Sequence, residues 1–254
     1  MIKFAIYGKG GIGKSTAACN ISAALAKKGL KVMQIGCDPK ADSTALLRGD
    51  KAIPTVLDGI RDKGNDMKLS DVVFENGSGI VCVEAGGPVP GLGCAGRGII
   101  NALERLEAMG AYDVYKPDVV IYDVLGDVVC GGFSMPMRKG FADKVFVITS
   151  GEKMSRYAAG NICLAVENFK GRGYASLGGI ILNRRNVKNE DALVRALAED
   201  FNTEITGSID LSEDIRLAEE KAVPVLDIAP ESAASRQLTE LAYRIYEICG
   251  GKKC

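Results

Sequence analysis

Residues 8–15 read Gly8-Lys9-Gly10-Gly11-Ile12-Gly13-Lys14-Ser15, and this octapeptide is the most informative feature of the chain. It fits the phosphate-loop pattern G-x-x-x-x-G-K-[ST] at every fixed position. The apolar run before it predicts a strand, and the apolar face of residues 14–28 predicts a helix. Strand, glycine loop and helix are the context that this motif needs, so we expect the loop N–H groups to bind phosphate. Lys14 is expected to reach the β- and γ-phosphates, and Ser15 to bind Mg²⁺.

The same stretch also fits G-x-G-x-x-G, the dinucleotide pattern, at Gly8, Gly10 and Gly13. Asp38 follows the second predicted strand, where a ribose-binding carboxylate would stand, so a nicotinamide- or flavin-dependent dehydrogenase is one alternative. A glycine-rich turn without a ligand is another. Lys14 and Ser15 argue against both, because the dinucleotide pattern does not require them and a turn has no packing use for them.

The composition is that of a globular protein with a large core, since 47% of the 254 residues are hydrophobic. The 32 basic and 32 acidic residues cancel, so the charge calls for neither nucleic acid nor an anionic membrane. No apolar run approaches the ~18 residues of a membrane span, and no secretory signal precedes the first strand, so we expect a cytoplasmic protein. The chain has no histidine, so acid–base work falls to Asp, Glu, Lys or Cys, and a soft metal site must use sulfur.

Apolar runs recur at the spacing of a wound α/β fold, and most are continuous, as in a parallel sheet buried on both faces. We predict a single phosphate-loop NTPase domain over 1–254, with helices on both faces of a mostly parallel sheet and a frayed tail at 250–254. The predicted strands are Lys3–Tyr7, Lys31–Gly36, Gly79–Val83, Val119–Asp123, Lys144–Thr149, Gly178–Leu182 and Glu204–Ile209. The later predicted helices are Ile99–Met109, Tyr157–Phe169, Asp191–Glu199 and Glu231–Ile248. For the last helix, packing onto the sheet is favoured over anchoring to a membrane.

Acidic residues follow several predicted strands, at the edge where open α/β sheets bind ligands. Asp38 and Asp42 follow the second strand. Asp123 ends an apolar strand, where phosphate-loop proteins hold the Mg²⁺ shell. Asp127 lies four residues on and, without histidine in the chain, is expected to orient the attacking water. A single loop Asp is as often a turn or a helix cap, but such loops beside one phosphate loop together favour a site.

Two of the eight cysteines, Cys94 and Cys130, stand among glycines. No C-x-x-C pair occurs, so neither a zinc knuckle nor a ferredoxin run is available within one chain, and a disulfide framework is not expected in a cytosolic protein. A [4Fe–4S] cluster needs four thiolates, which a symmetric homodimer would supply from these two positions on its two-fold axis. The alternative is two small buried residues. The cluster is favoured over buried residues because Cys130 follows Asp123 by only seven residues.

Taken together, these features resemble the iron protein of nitrogenase and its nitrogenase-like reductase relatives. The resemblance runs from Ile2 to about Ala242, and the stretches that carry it are Gly8–Thr16, Gly36–Thr44, Gly93–Ile100, Tyr122–Pro136 and residues 183–186. It implies an ATP-dependent electron donor, a homodimer that binds MgATP and one bridging [4Fe–4S] cluster. It further implies reduction by a ferredoxin or flavodoxin, and electron delivery to a nitrogenase-like catalytic protein.

The resemblance also implies roles for single residues. Lys9 would reach across the dimer to the other subunit's nucleotide and, with Asp38 and Asp127, take part in hydrolysis. Cys94 and Cys130 would hold the cluster, and Arg97 would be an exposed docking residue that some organisms ADP-ribosylate. The implied nucleotide- and magnesium-binding residues are Gly8, Lys9, Gly10, Gly11, Ile12, Gly13, Lys14, Ser15, Thr16, Asp42, Asp123 and the adenine contact Asn183.

The chain departs from the nitrogenase reductase at the nucleotide-base pocket. Asp210, Leu211 and Ser212 stand in place of a Pro-Arg-Asp segment, and Ala234 in place of a glutamine. Reductases that serve tetrapyrrole reduction, coenzyme F430 synthesis or carbon–sulfur bond cleavage are therefore comparable candidates. A non-redox ATPase of the partitioning type is the alternative from another class, and it would need neither glycine-flanked cysteine.

Overall fold

A computed structural model describes residues 1–49, 51–88, 95–126, 134–171 and 173–252, and an eight-stranded sheet runs through this part of the chain. The strands lie in the order β3-β4-β2-β5-β1-β6-β7-β8. All neighbouring pairs are parallel except β3 and β4. The strand bounds are β1 Ile2–Tyr7, β2 Val32–Cys37, β3 Val73–Glu75, β4 Val81–Glu84, β5 Val119–Val124, β6 Lys144–Thr149, β7 Ser176–Asn183 and β8 Ile205–Ile209.

Helices cover both faces of this sheet. On β1, Phe4 and Ile6 pack against α1 and α9–α10, whereas Ala5 and Tyr7 point to the layer of α3–α6. The central strands β2 and β5 are buried along their whole length, and all of their residues except Gln34 and Asp123 are apolar, Gly or Tyr, as expected for strands covered on both faces. The helix bounds are α1 Lys14–Lys27, α2 Ala45–Arg48, α3 Val56–Lys63, α4 Ala95–Ala108, α5 Ala111–Tyr115, α6 Lys153–Lys170, α7 Glu190–Asp200, α8 Glu213–Glu220, α9 Val225–Ile228 and α10 Ala233–Ile248.

The last helix, α10, packs onto the sheet as predicted. Leu238, Leu241, Ala242 and Ile245 form its buried stripe in the core that also contains Phe4. Within the described residues, no helix is both long enough and apolar enough to cross a lipid bilayer.

Strand register brings the candidate site together. β1 lies between β5 and β6, and Ile6 is paired with Asp123, so the phosphate loop and this carboxylate leave the sheet at the same edge. On the far side of β5, Gly36 is also paired with Asp123. The loops after β1, β2 and β5 therefore meet at one point. Strands β2 to β5 lie on one side of β1 and β6 to β8 on the other, and open α/β sheets bind ligands where the chain changes sides in this way.

The predicted fold is confirmed, and the differences lie in short elements and helix starts. Every predicted strand is present within about two residues, but β3 was missed because it is a three-residue antiparallel edge strand. The prediction started α4 at Ile99, whereas the helix begins at Ala95, because Gly96 and Gly98 hide the helical pattern of its first turn.

Candidate functional site

The phosphate loop passes into α1 without a side-chain cap. Gly13 is the N-cap residue and has a left-handed backbone with φ of 91°. Because no side chain caps this helix end, its first N–H groups remain available to an anion. Lys14 is largely buried and its Nζ donates to the Lys9 carbonyl oxygen at 3.5 Å, which folds the ammonium over the loop. The loop thus presents N–H groups and one cation to the same space.

The last residue of β7, Asn183, and Arg185 just after it form hydrogen bonds to the phosphate loop. Asn183 Nδ2 donates to the Ile12 carbonyl oxygen at 2.7 Å, and Arg185 Nη2 donates to the Gly11 carbonyl oxygen at 3.3 Å. A Cβ on Gly13 would lie 2.7 Å from Asn183 Nδ2, so only glycine allows this approach. Asn183, predicted as an adenine contact, therefore also braces the phosphate loop.

Asp123 lies directly beneath Ser15. The Ser15 hydroxyl donates to Asp123 Oδ2 at 2.6 Å, while the buried Oδ1 has no hydrogen-bond partner. Burial raises the pKa of Asp123, and Lys14 and the Ser15 hydroxyl oppose that shift. A hydroxyl beside a carboxylate with a free oxygen is a donor set that suits Mg²⁺, which prefers hard oxygen ligands. The residues present thus fit the predicted magnesium site.

A cavity of about 1130 Å³ opens over the loop. It is large enough for a nucleoside triphosphate, since ligand pockets typically hold about 300–1,000 Å³. Of the predicted nucleotide-binding and catalytic residues, those that line it are Gly10, Gly11, Gly13, Lys14, Ser15, Thr16, Asp38, Asp42 and Asn183.

The other predicted residues lie elsewhere. Gly8 is buried at the first position of the loop, and Ile12 belongs to the core. Lys9 does not line the cavity, and its Nζ donates to the Gly10 carbonyl oxygen at 3.5 Å. Asp123 lies below the cavity floor. Asp127, Cys94 and Cys130 fall outside the described residues.

Residues at which the sequence departs from the family that it resembles form the far end of the cavity. Asp210, Leu211 and Ser212 line it together with apolar side chains of α8 and α10. Ala234 does not line the cavity and is buried in the first turn of α10, on the side that faces the core. The segment after β8 is therefore in position to contact a base, whereas Ala234 affects only packing.

Glu84 is a residue of the site that no sequence motif predicts. It is fully buried at the end of β4, and its Oε1 accepts from the Thr44 N–H at 2.7 Å and from the Thr44 hydroxyl at 2.6 Å. Burial raises the pKa of Glu84 to about 7, against the Thr44 hydrogen bonds and nearby Arg48. A Cβ on Gly36 would lie 2.0 Å from Glu84 Oε2. Glu84 thus holds the end of the Asp38–Thr44 loop in place through its hydrogen bonds to Thr44. The feature of the sequence that could have indicated this role is a charged residue at the end of an apolar strand.

Arg97 is exposed on the first turn of α4. This helix starts at Ala95, the residue after Cys94 in the chain, so its positive N-terminal end lies next to that position in sequence.

The described cysteines do not offer a metal site. Cys19, Cys37, Cys82 and Cys163 are buried, and Cys249 is half-buried. Burial raises the pKa of Cys82, Cys163 and Cys249 to about 12, so these groups stay thiols. Among the described residues, no group of three or more His, Cys, Asp or Glu side chains could hold a metal ion.

Over residues 2–251 the chain matches the family described as 4Fe-4S iron–sulfur cluster binding proteins, NifH/frxC family. It is 50% identical over 248 residues to the nitrogenase iron protein of Methanococcus voltae, covering 97% of this chain and 89% of that protein. It is 51% identical to the nitrogenase iron protein of Methanospirillum hungatei JF-1, covering 96% and 88% of the two chains.

Solved structures with the same fold include the cell division ATPase MinD from Pyrococcus furiosus. That structure superposes with a TM-score of 0.75 at 19% identity, covering 98% of this chain and all of the other. A ParA family ATPase from Chlorobium tepidum TLS gives a TM-score of 0.71 at 19% identity, covering 95% and 97% of the two chains. At such identities the likeness concerns the fold alone.

Proposed function

Because the chain belongs to the NifH/frxC family of 4Fe-4S iron–sulfur cluster binding proteins, we propose that it is an ATP-dependent electron donor to a nitrogenase-like catalytic protein. Members of this family are ATP-hydrolysing electron-transfer components that carry a [4Fe–4S] cluster and use MgATP. In our proposal two copies of the chain share one cluster, held by Cys94 and Cys130 of each copy. A ferredoxin or flavodoxin reduces it.

The observation that carries this proposal is the hydrogen bond from Ser15 to Asp123. It joins the phosphate loop to β5, and the chain that leaves β5 reaches Cys130 only seven residues after Asp123. We infer that a movement of Asp123 that follows the γ-phosphate would reach Cys130 through this short stretch of sequence. When bound, the cluster would supply a one-electron carrier.

The chain's own residues divide the work at the nucleotide. The loop N–H groups and Lys14 would bind the phosphates, and Ser15 together with Asp123 would hold Mg²⁺. Asp127 orients the attacking water, with Asp38 as the next candidate. Asp38 lines the cavity, and its Oδ1 also accepts from the Lys40 N–H at 2.9 Å, so it shapes its own turn as well. Lys9 reaches the nucleotide of the other subunit.

Two observations bear on which catalytic protein receives the electrons. The names of the relatives favour a nitrogenase-type partner. The altered segment at Asp210, Leu211 and Ser212 keeps a reductase for tetrapyrrole, coenzyme F430 or carbon–sulfur chemistry as the second candidate. A non-redox ATPase of the partitioning type shares the fold but has no use for paired cysteines.

Anaerobic purification tests the proposal. We expect a brown dimer with about four irons, whose visible absorption bleaches on reduction and which hydrolyses MgATP. Light scattering, iron analysis and absorption spectra are the measurements. A colourless, iron-free protein that still hydrolyses MgATP would contradict the redox function and support the partitioning class.

Arg97 gives a prediction about partner docking. The Arg97→Glu variant should retain its iron and MgATP binding, because the side chain is exposed and far in sequence from the phosphate loop. Electron delivery should fall by more than about tenfold, since like charge would meet an acidic contact on the partner. Arg97→Lys should be intermediate, because it keeps the charge and loses the planar fork. Full partner-dependent turnover of Arg97→Glu at low salt would show that docking does not use this face.

A further inference from the structure

The segment that forms the far wall of the cavity is held by side chains that do not line the cavity. Asp210 uses both carboxylate oxygens: Oδ1 accepts from Arg184 Nη1 at 2.7 Å, and Oδ2 accepts from Gln237 Nε2 at 2.7 Å. The Asp210 N–H donates to Gln237 Oε1 at 3.1 Å. Backbone and side chain of Asp210 are therefore both fixed, whereas Arg184 and Gln237 themselves lie outside the cavity lining.

Arg184 is anchored in turn by its other contacts. Its Nη1 also donates to the Ser208 hydroxyl at 2.7 Å, and its guanidinium forms an ion pair with Asp191 at the start of α7. These bonds connect the end of β7 with β8, α7 and, through Asp210 and Gln237, with α10. Hydrogen bonds from Gln237 and Arg184 lower the pKa of Asp210. Asp210 and Arg184 therefore form a charged pair at neutral pH.

The residues after Asp210 carry the surface that faces the cavity. Leu211 is 61% exposed and lines the cavity wall with Ile215 and Leu238. Ser212 caps α8 by accepting from the Asp214 N–H at 3.2 Å. An apolar surface of this kind suits the face of a nucleotide base, and its position depends on where Asp210 leaves β8.

We propose that Arg184, Asp210 and Gln237 form a clamp that positions the wall against which the base of the bound nucleotide packs. Arg184 and Gln237 are then positioning residues that act through Asp210. This inference rests on the proposed nucleotide-binding function. An exposed ion pair adds little to stability, so the clamp matters through the geometry of the wall rather than through the free energy of folding.

The clamp separates base affinity from phosphate affinity, which makes it testable. Isothermal titration would compare MgATP with magnesium tripolyphosphate, which has the phosphates and lacks the base. In Arg184→Ala and in Gln237→Ala, MgATP affinity should fall by about fivefold. Tripolyphosphate affinity should change by less than about twofold, because the phosphate loop, Lys14 and Ser15 keep their contacts. Arg184→Lys should fall between the unaltered protein and Arg184→Ala, since it keeps the charge and loses the fork.

Arg244→Ala is the matched control. Arg244 Nη2 donates to Glu204 at 2.8 Å, an exposed ion pair between α10 and the start of β8 that does not line the cavity. Its removal should leave both affinities unchanged. Unchanged MgATP affinity in Arg184→Ala, or an equal loss of tripolyphosphate affinity, would overturn the clamp. Failure of the unaltered protein to bind MgATP would instead overturn the nucleotide function on which the clamp rests.

Discussion

The Cys94→Ser and Cys130→Ser variants are each expected to form a dimer that contains no iron. In the proposed homodimer each substitution removes two of four thiolate ligands at once, and the remaining two cannot hold a [4Fe–4S] cluster. We expect the brown colour and the iron content to be lost together. MgATP binding should persist, because the phosphate loop and Asp123 do not depend on the cluster.

Cys249→Ser is the control, since Cys249 is the least buried cysteine among the described residues. Its iron content should equal that of the unaltered protein. Iron analysis and visible absorption of anaerobically purified dimers are the measurements. About four irons per dimer in Cys94→Ser or Cys130→Ser would rule out the shared cluster.

Gly126→Ala should reduce ATP hydrolysis and electron delivery by about a hundredfold. A Cβ at this position would lie 2.3 Å from the Gly8 carbonyl oxygen and 2.7 Å from the Gly8 nitrogen. Both contacts are to backbone, so either the segment after β5 or the phosphate loop must move. Displacements of about 1 Å in a catalytic site cost about a hundredfold in rate. Lys14 and Ser15 remain, so MgADP should still bind.

The matched control is Gly77→Ala, because nothing lies within 4 Å of a Cβ built there. Steady-state hydrolysis and MgADP titration of both variants are the measurements. If Gly126→Ala turned over at the rate of Gly77→Ala, the segment after β5 and the phosphate loop would not need their close contact.

Local motifs made the centre of the site predictable. Ser15 and Asp123 are far apart in the chain, yet each belongs to a short pattern with a known place on a strand end, and they are hydrogen-bonded. The continuous apolar runs likewise predicted a buried parallel sheet, because strands covered on both faces need no polar alternation.

Contacts that depend on which strands are neighbours were not predictable. Glu84 meets Thr44 only because β4 lies beside β2, and Arg184 meets Asp210 only because β7 lies beside β8. Strand order follows from packing of the whole chain, and a single sequence without relatives does not reveal it. The roles of Asp127, Cys94 and Cys130 remain predictions.

The order of strands also determines when this protein can assemble during its synthesis. β1 is made first, but its neighbours in the sheet are β5 and β6, which follow only after residue 118. At typical elongation rates, on the order of ten seconds pass before β5 exists. During that time β2, β4 and β3 can pair, whereas the strand that bears the phosphate loop has neither of its native partners. A nascent chain stalled before residue 119 would therefore expose an apolar strand edge, which is a target for chaperones and a starting point for aggregation.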